Sequence, residues 1–192
     1  MRNEVTDQEC SPVDGPLYAN LAADIERARS DRGSADAALS REAELLLYHE
    51  ARLLDGRSYR AWLGLLAPNF IYWVPSEEAA VDARKQSAVN FDDLRRIEDR
   101  LALMETGALH AQIPPSRTCR TVSNVEAWSV PPDTIDIHSN LIVWEHRRRH
   151  TSRFVASQEH RIRKYEKGWL IERKIIRLID CDEPQGNVTF IL

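Results

Sequence analysis

Residues 134–180 read TIDIHSNLIVWEHRRRHTSRFVASQEHRIRKYEKGWLIERKIIRLID, and this stretch decides the fold because its period is that of β-strands. Together with the residues just before it, it contains four strand-like runs, 118–128, 134–146, 154–165 and 169–180. Two turn sequences, Pro131-Pro132-Asp133 and Glu166-Lys167-Gly168, separate neighbouring runs. Long strands joined in series by short turns predict an antiparallel meander.

The chain before this meander has the period of helices. Apolar residues at three- and four-residue steps predict a helix over residues 35–55, with Gly56 in the left-handed position that ends it. A second helix is predicted over 59–66 and is stopped by Pro68. The aromatic run 70–74 then predicts a strand.

A third helix is predicted after the polar residues 76–90, which we interpret as a loop. Asn90 is its expected N-cap, and its apolar face runs from Leu94 to Ala108. A loop over 110–115 leads into the first long strand. Helices packed on one face of a curved antiparallel or mixed sheet predict an α+β fold, and the NTF2-like cone has this order of elements.

The two ends of the chain differ in pattern from the middle. Residues 1–33 lack a sustained apolar period and predict a partly ordered N-terminal arm, within which residues 17–28 suit a short helix. Residues 34–192 are predicted to form a single domain. The last residues, 187–192, read NVTFIL and predict either a short final strand or a docking segment.

Composition limits which classes of protein this chain can belong to. The chain has 192 residues, of which 43% are hydrophobic, and a net charge of -4, so bulk charge favours neither nucleic acid nor an anionic membrane. There is no apolar run of membrane-spanning length and no apolar stretch near the N-terminus. Three dispersed cysteines, Cys10, Cys119 and Cys181, make a disulfide framework improbable and favour a cytoplasmic location.

Metal and cofactor sites find little support in the sequence. A Rieske cluster needs two Cys and two His in short paired spacings, and no cysteine here has such a histidine neighbour. The pair His146 and His150 flanks three arginines at a predicted strand end, which disfavours a divalent cation. The sequence therefore predicts no catalytic, cofactor-binding or metal-binding residues on this chain.

Several titratable residues leave two interpretations open. His49 and Glu50 lie on the first predicted helix. One interpretation is that either residue acts as a general base in an open cone. The other, which we favour, is that this helix face is turned to solvent or to a partner. Asp93, Asp136 and His138 pose the same choice. Trp62, Trp73 and Trp169 are predicted to be core residues, whereas Trp128 and Trp144 suit either core or interface.

A basic stretch stands out at residues 146–174. It holds ten Lys or Arg against three acidic residues. One interpretation is the wet face of a sheet, and the other is an electrostatic match to an acidic partner subunit. Nucleic acid is disfavoured because the remainder of the chain is acidic and no stacking-rich basic motif is present.

Ordered blocks of sequence resemble a known family. They are YHEARLLD at 48–55, YRAWL at 59–63, IYWVP at 71–75, EDRL at 98–101, METG at 104–107, PPSRT at 114–118, VSNV at 122–125 and Gly168-Trp169 leading to Asp180. Together they resemble the small (β) subunits of Rieske-type aromatic-ring-hydroxylating dioxygenases over about residues 40–192. Residues 76–90 and the run Arg147–Arg149 depart from the family's pattern.

The resemblance implies an NTF2-like subunit with an assembly role. Such β subunits form the base of an α3β3 terminal oxygenase, contacting each other and a large α subunit, which carries the Rieske [2Fe–2S] cluster and the mononuclear iron. The complex dihydroxylates an aromatic compound during its catabolism. The resemblance carries no catalytic residue to this chain. It gives candidate subunit-interface residues, namely Arg100, His110, Pro115, Arg117 and Asn124.

Two other functions stay open at this point. A free-standing NTF2-like dehydratase or isomerase would need an open cone with an acid/base pair, drawn from Tyr48, His49, Asp93 or His138. A binding module with no enzyme nearby is the third possibility. An open cone would favour the enzyme, and a cone filled by its own side chains would argue against it.

Overall fold

The computed structural model describes residues 15–30, 33–184 and 188–192. The helices are α1 (Gly15–Ser30), α2 (Ala37–Asp55), α3 (Tyr59–Leu63) and α4 (Leu94–Glu105), and a 3-10 turn covers His110–Gln112. The strands are β1 (Leu66–Pro75), β2 (Ala88–Asp93), β3 (Arg117–Val130), β4 (Thr134–Arg147), β5 (His150–Tyr165) and β6 (Gly168–Leu178). Helices on a six-stranded mixed sheet confirm the predicted α+β class.

The sheet has the order β2-β1-β6-β5-β4-β3. Strands β3 to β6 pair antiparallel in sequence order, which confirms the predicted meander. Strand β1 pairs parallel with β6, and β2 pairs antiparallel with β1 at the sheet edge. The parallel pair is possible because the whole meander lies between β1 and β6 in sequence.

Helix α2 begins at a side-chain cap and ends differently from the prediction. The carboxylate of Asp36 accepts from the backbone N–H groups of Ala38 and Leu39 at 2.8 and 3.0 Å, which satisfies two of the unpaired donors of the first turn. Gly56 was expected in the left-handed conformation, but its φ is -78° and the left-handed residue is Arg57, with φ 55°.

Three local predictions around β1 and β2 were wrong: the end of the second helix, the role of Pro68 and the cap of α4. The second helix stops at Leu63, and Pro68 lies inside β1, where the register shifts between Leu66 and Ile71. A proline is tolerated there because its missing backbone N–H is not needed for strand pairing at this irregularity. Asn90 does not cap α4, since it pairs with Val74 in β2. The cap is Asp93, whose carboxylate accepts from the Arg96 N–H at 2.8 Å.

The sheet separates two apolar clusters. Helices α2, α3 and α4 pack on one face, here called the inner face, with a core that includes Leu47, Trp62 and Ile176. On the opposite, outer face, α1 packs Leu21 and Ile25 against Trp73 and Ile175. The predicted short helix within residues 17–28 is therefore confirmed as part of α1, while the boundary between an arm and a domain at residue 33 stays a prediction.

The C-terminal residues Val188 to Leu192 form no strand and lie in the core. Phe190, Ile191 and Leu192 are at most 4% exposed. The Phe190 ring packs edge-on against Phe154 with centroids 5.5 Å apart, and the Leu192 N–H donates to the Tyr72 hydroxyl at 3.2 Å. Asn187, the first residue of the predicted segment, lies outside the described residues. In the described ranges, no helix is both long and apolar enough to cross a membrane.

Candidate functional site

A buried polar cluster joins the helices to the sheet on the inner face. Glu50 of α2 accepts from the Trp62 indole N–H and from the Lys174 ammonium at its Oε1, each at 3.0 Å. Its Oε2 accepts from His160 Nε2 at 3.1 Å. These four residues, defined here as the Glu50 cluster, come from α2, α3, β5 and β6 and are 0–3% exposed.

The charges in the Glu50 cluster depend on one another. Burial alone would raise the pKa of Glu50, but the charges and hydrogen bonds of Lys174, His160 and Trp62 outweigh it and hold that pKa well below its ordinary value. Burial lowers the pKa values of His160 and Lys174, and Glu50 opposes both shifts. These shifts favour a Glu50 carboxylate and a neutral His160 imidazole, whose Nε2 donates to that carboxylate.

The chemistry open to this cluster is limited by its packing. A carboxylate beside an imidazole is an acid/base pair in principle, but the side chains of His160 and Glu50 are only 0% and 4% exposed. The cavity of about 180 Å³ that His160 helps to line is formed with outer-face residues such as Asp136 and His138. The inner-face cavity near Leu54, Tyr59 and Phe190 has a volume of about 10 Å³. Within the described residues the cluster pairs the Glu50 carboxylate and ties α2 to two central strands, which is a structural role, while His160 Nδ1 has no hydrogen-bond partner.

The favoured placement of Glu50 at a solvent or partner face was wrong, and that of His49 was right. His49 is exposed, whereas Glu50 is buried. The signal was present in the sequence, because Glu50 falls on the stripe of Ala43, Leu47 and Leu54 at three- and four-residue steps. His160 and Lys174 were not singled out, since strands with charged residues on both faces hide which face is buried.

Most of the predicted acid/base candidates lie apart, and Asp136 and His138 are the two that line one cavity, of about 180 Å³. The Tyr48 hydroxyl donates to Glu44 on the same helix at 2.5 Å, and Asp93 is used as the α4 cap. Asp136 and His138 are two residues apart on β4, so their side chains lie on the same face of the sheet, the outer one. Asp136 accepts two hydrogen bonds from the Arg161 guanidinium, at 2.7 and 2.8 Å, so it is committed to an ion pair.

The basic stretch at 146–174 divides into two groups. Arg161, Arg173 and Lys174 are 2–7% exposed, so the wet-sheet interpretation was wrong for them. Arg161 pairs with Asp24 of α1 as well as Asp136, which fastens α1 across the outer face. The arginines at 148, 149 and 153 are exposed. Among the described residues no group of three or more His, Cys, Asp or Glu is arranged to hold a metal ion.

The candidate interface residues differ in their surroundings. Arg100 of α4 donates to Asn90 and pairs with Asp92, both at 2.6 Å, and so holds the edge strand β2. His110, Pro115, Arg117 and Asn124 are exposed. Asn124 has φ 53° at the point where the β3–β4 register shifts. Their role in subunit contacts stays a prediction.

The tryptophans also separate core from surface. Trp62 and Trp73 are fully buried, as predicted. Trp169 is 37% exposed, so its assignment to the core was wrong. It is the second residue of β6, just after the β5–β6 turn, where it pairs with Lys164. Trp144 is 48% exposed and lies under the Arg153 guanidinium, 5.9 Å from its carbon to the ring centroid.

Comparisons with known proteins agree with this geometry. The family described as the ring hydroxylating beta subunit matches residues 49–182. The small oxygenase component of the p-cumate 2,3-dioxygenase system of Pseudomonas putida is 30% identical over 155 residues, covering 79% of this chain and 86% of that protein.

Solved structures with the same fold are known. One chain of naphthalene 1,2-dioxygenase with indole bound in its active site is 26% identical, with a TM-score of 0.73 over 89% of this chain and 94% of that one. An NTF2-like protein of Novosphingobium aromaticivorans shares the fold at 19% identity and a TM-score of 0.52, over 84% and 90% of the two chains. The chain has an NTF2-like fold and belongs to the β-subunit family of aromatic-ring-hydroxylating dioxygenases.

Proposed function

We propose that this chain assembles an α3β3 terminal oxygenase that dihydroxylates an aromatic compound during its catabolism in the cytoplasm. The large subunit would carry the Rieske [2Fe–2S] cluster and the mononuclear iron, and this chain would supply the base on which the large subunits stand. The relatives are components of dioxygenases named for cumate and naphthalene, which supports an aromatic substrate.

The observation that carries the assembly role is the filled inner face. In the Glu50 cluster every charged group is used by another member, and Trp62 closes it from the α3 side. A dehydratase or isomerase would need such groups beside an open pocket. The packing supports a stabilising role for these groups and argues against the free-standing enzyme.

Co-expression tests the proposal. The tagged chain is expressed with the large oxygenase subunit of its own organism, and the eluted complex is characterised by light scattering, iron content and visible spectrum. We expect equal amounts of the two chains, a mass for three copies of each, and aromatic-ring oxidation that needs both chains together with electron-transfer components.

Two results would contradict the proposal. In the first, the tagged chain elutes alone from cells that contain a folded, iron-loaded large subunit. In the second, the isolated chain turns over a dehydratase or isomerase substrate. The matched control is the large subunit expressed alone, which separates a failure of assembly from a failure of the large subunit to load its iron.

A further inference from the structure

The cavity of about 180 Å³ on the outer face lies between α1 and the sheet. Arg27 and Ala28 line it from the side of α1. On the sheet side it is lined by a row of successive cross-strand neighbours, one from each of β3 to β6, namely Trp128, Asp136, Arg161 and Arg173. We define this space as the Arg173 cavity.

Arg173 is a buried cation without a close counter-ion. It is 4% exposed, and its Nε has no hydrogen-bond partner. Its ion pair with Asp136 is long, at 3.9 Å from Nη2 to Oδ1. Burial and the charge of Arg161 lower the pKa of Arg173, but a guanidinium in a protein stays protonated. A buried charge of this kind is costly unless an anion pairs with it.

The carboxylates near Arg173 are paired with other arginines. They line the Arg173 cavity or a second cavity, of about 570 Å³, that also borders Arg173. The pairs are Asp136 with Arg161, Asp24 with Arg27 and Arg161, Glu159 with Arg177, and Glu172 with Arg163. Among the described residues this group has five arginines and four carboxylates, so the charge left without a close partner is that of Arg173.

The lining of the Arg173 cavity determines which anion would fit. Trp128 and Val130 are two residues apart on β3 and share a face, and Ala28 adds apolar surface from α1. Asp136 and Glu159 also line the cavity and would repel a dianion such as phosphate. A carboxylate brings one negative charge, and its two oxygens match the donors of a guanidinium.

We infer that the Arg173 cavity binds a small organic monocarboxylate, whose carboxylate pairs with Arg173 and whose apolar body lies against Trp128 and Val130. The site lies within one chain, so the inference does not depend on the proposed assembly. Because Arg27 and Ala28 line the same cavity, a bound ligand also holds α1 to the sheet.

Calorimetric titration of the full chain tests the inference. The probes are acetate, isobutyrate and benzoate, each compared with its neutral amide, and inorganic phosphate. We expect at least one carboxylate to bind with a Kd below about 1 mM. Its amide should bind at least about tenfold more weakly, because the amide brings no charge to the buried guanidinium. Phosphate should bind more weakly than that carboxylate.

Two variants test the charge and the space separately. Arg173→Gln should weaken carboxylate binding at least about tenfold, while the ligand-free chain keeps or raises its urea midpoint because a poorly paired buried charge is removed. A purely structural arginine would lower that midpoint instead. Ala28→Leu fills the cavity without changing any charge and should also weaken binding at least about tenfold.

The matched control is Arg163→Gln. It makes the same change at an arginine that lines the larger cavity but not the Arg173 cavity, and it should leave the Kd within about twofold of wild type. The inference is overturned if no carboxylate binds with a Kd below about 10 mM. It is also overturned if the amides bind as tightly as the acids, or if Arg173→Gln keeps the wild-type affinity. Phosphate binding tighter than every carboxylate would make the cavity an inorganic-anion site and would refute the assignment to a carboxylate.

Discussion

At the scale of single residues, Glu50 determines the chemistry of the interior. It accepts hydrogen bonds from three different elements and is the counter-ion of Lys174 at 3.0 Å. An ion pair this deeply buried adds little net stability by itself, but removing one member leaves the other charge buried and unpaired. The cluster is therefore sensitive to one neutral substitution although its shape is kept.

The substitution Glu50→Gln keeps the volume of the side chain and removes its charge. We expect it to lower the free energy of unfolding by about 3–5 kcal/mol, since Lys174, which is 2% exposed, loses the only carboxylate paired with it among the described residues. Urea denaturation measures this. Glu42→Gln on the exposed side of the same helix is the control and should change stability by less than about 0.5 kcal/mol. Equal midpoints for the two variants would contradict the structural role.

His160 makes stability depend on pH. Burial lowers its pKa below the ordinary 6.5, so below that pH the unfolded chain binds a proton that the folded chain does not. Stability is then full above pH 6.5 and falls as the pH drops toward the folded-state pKa. The lowered pKa of Glu50 adds a further loss below its ordinary 4.5.

The measurement is the free energy of unfolding of wild type and His160→Gln between pH 7.5 and 5. We expect the wild type to lose stability over this range and the variant, which has no imidazole to protonate, to lose less. Parallel curves for the two proteins would show that the loss comes from other groups. A wild-type stability that rises toward pH 5 would reverse the sign of the argument.

At the scale of elements, the terminal segment shows how much stability a few residues outside the sheet supply. Phe190 is 4% exposed and packs on Phe154. We expect Phe190→Ala to destabilise the fold by about 3 kcal/mol or more through lost burial and the cavity left behind. Leu103→Ala on α4, where the side chain is 47% exposed, is the control and should have little effect. Denaturation midpoints that shift equally would contradict the assignment of the segment to the core.

The same scale shows what can be predicted from sequence and what cannot. Strands β3 to β6 were found because their period and turn residues are local signals. Strand β2 was missed because its polar residues pair only with β1, and that pairing is a tertiary event.

The candidate site divides in the same way. Glu50 could be placed on the buried stripe of α2, but Lys174 could not be placed. The residues of β6 from Ile171 to Leu178 are buried without interruption, so no alternation of polar and apolar residues marks a face. Both faces of β6 are covered because the strand lies inside the sheet. The face that meets α2 is therefore known only from the folded structure.

At the scale of the whole molecule, the inner and outer faces of the sheet have different roles. The inner face holds the helices to the sheet through the Glu50 cluster and the apolar core. The outer face holds α1 through Leu21 and Ile25 and through the ion pairs of Arg161. A subunit of this kind affects catalysis through assembly, so stability and activity respond differently to substitutions inside it.

That division gives a last prediction, on activity. In the assembled oxygenase, Glu50→Gln should leave kcat per iron-loaded complex within about twofold of wild type at a temperature well below its unfolding, while the yield of complex falls. A general base loses far more, on the order of a hundredfold or greater, when its carboxyl is neutralised. The matched variant is His49→Ala, the exposed neighbour on the same helix. A complex of normal mass and iron content whose kcat falls tenfold or more with Glu50→Gln would give this chain a part in the chemistry, because assembly alone cannot account for it.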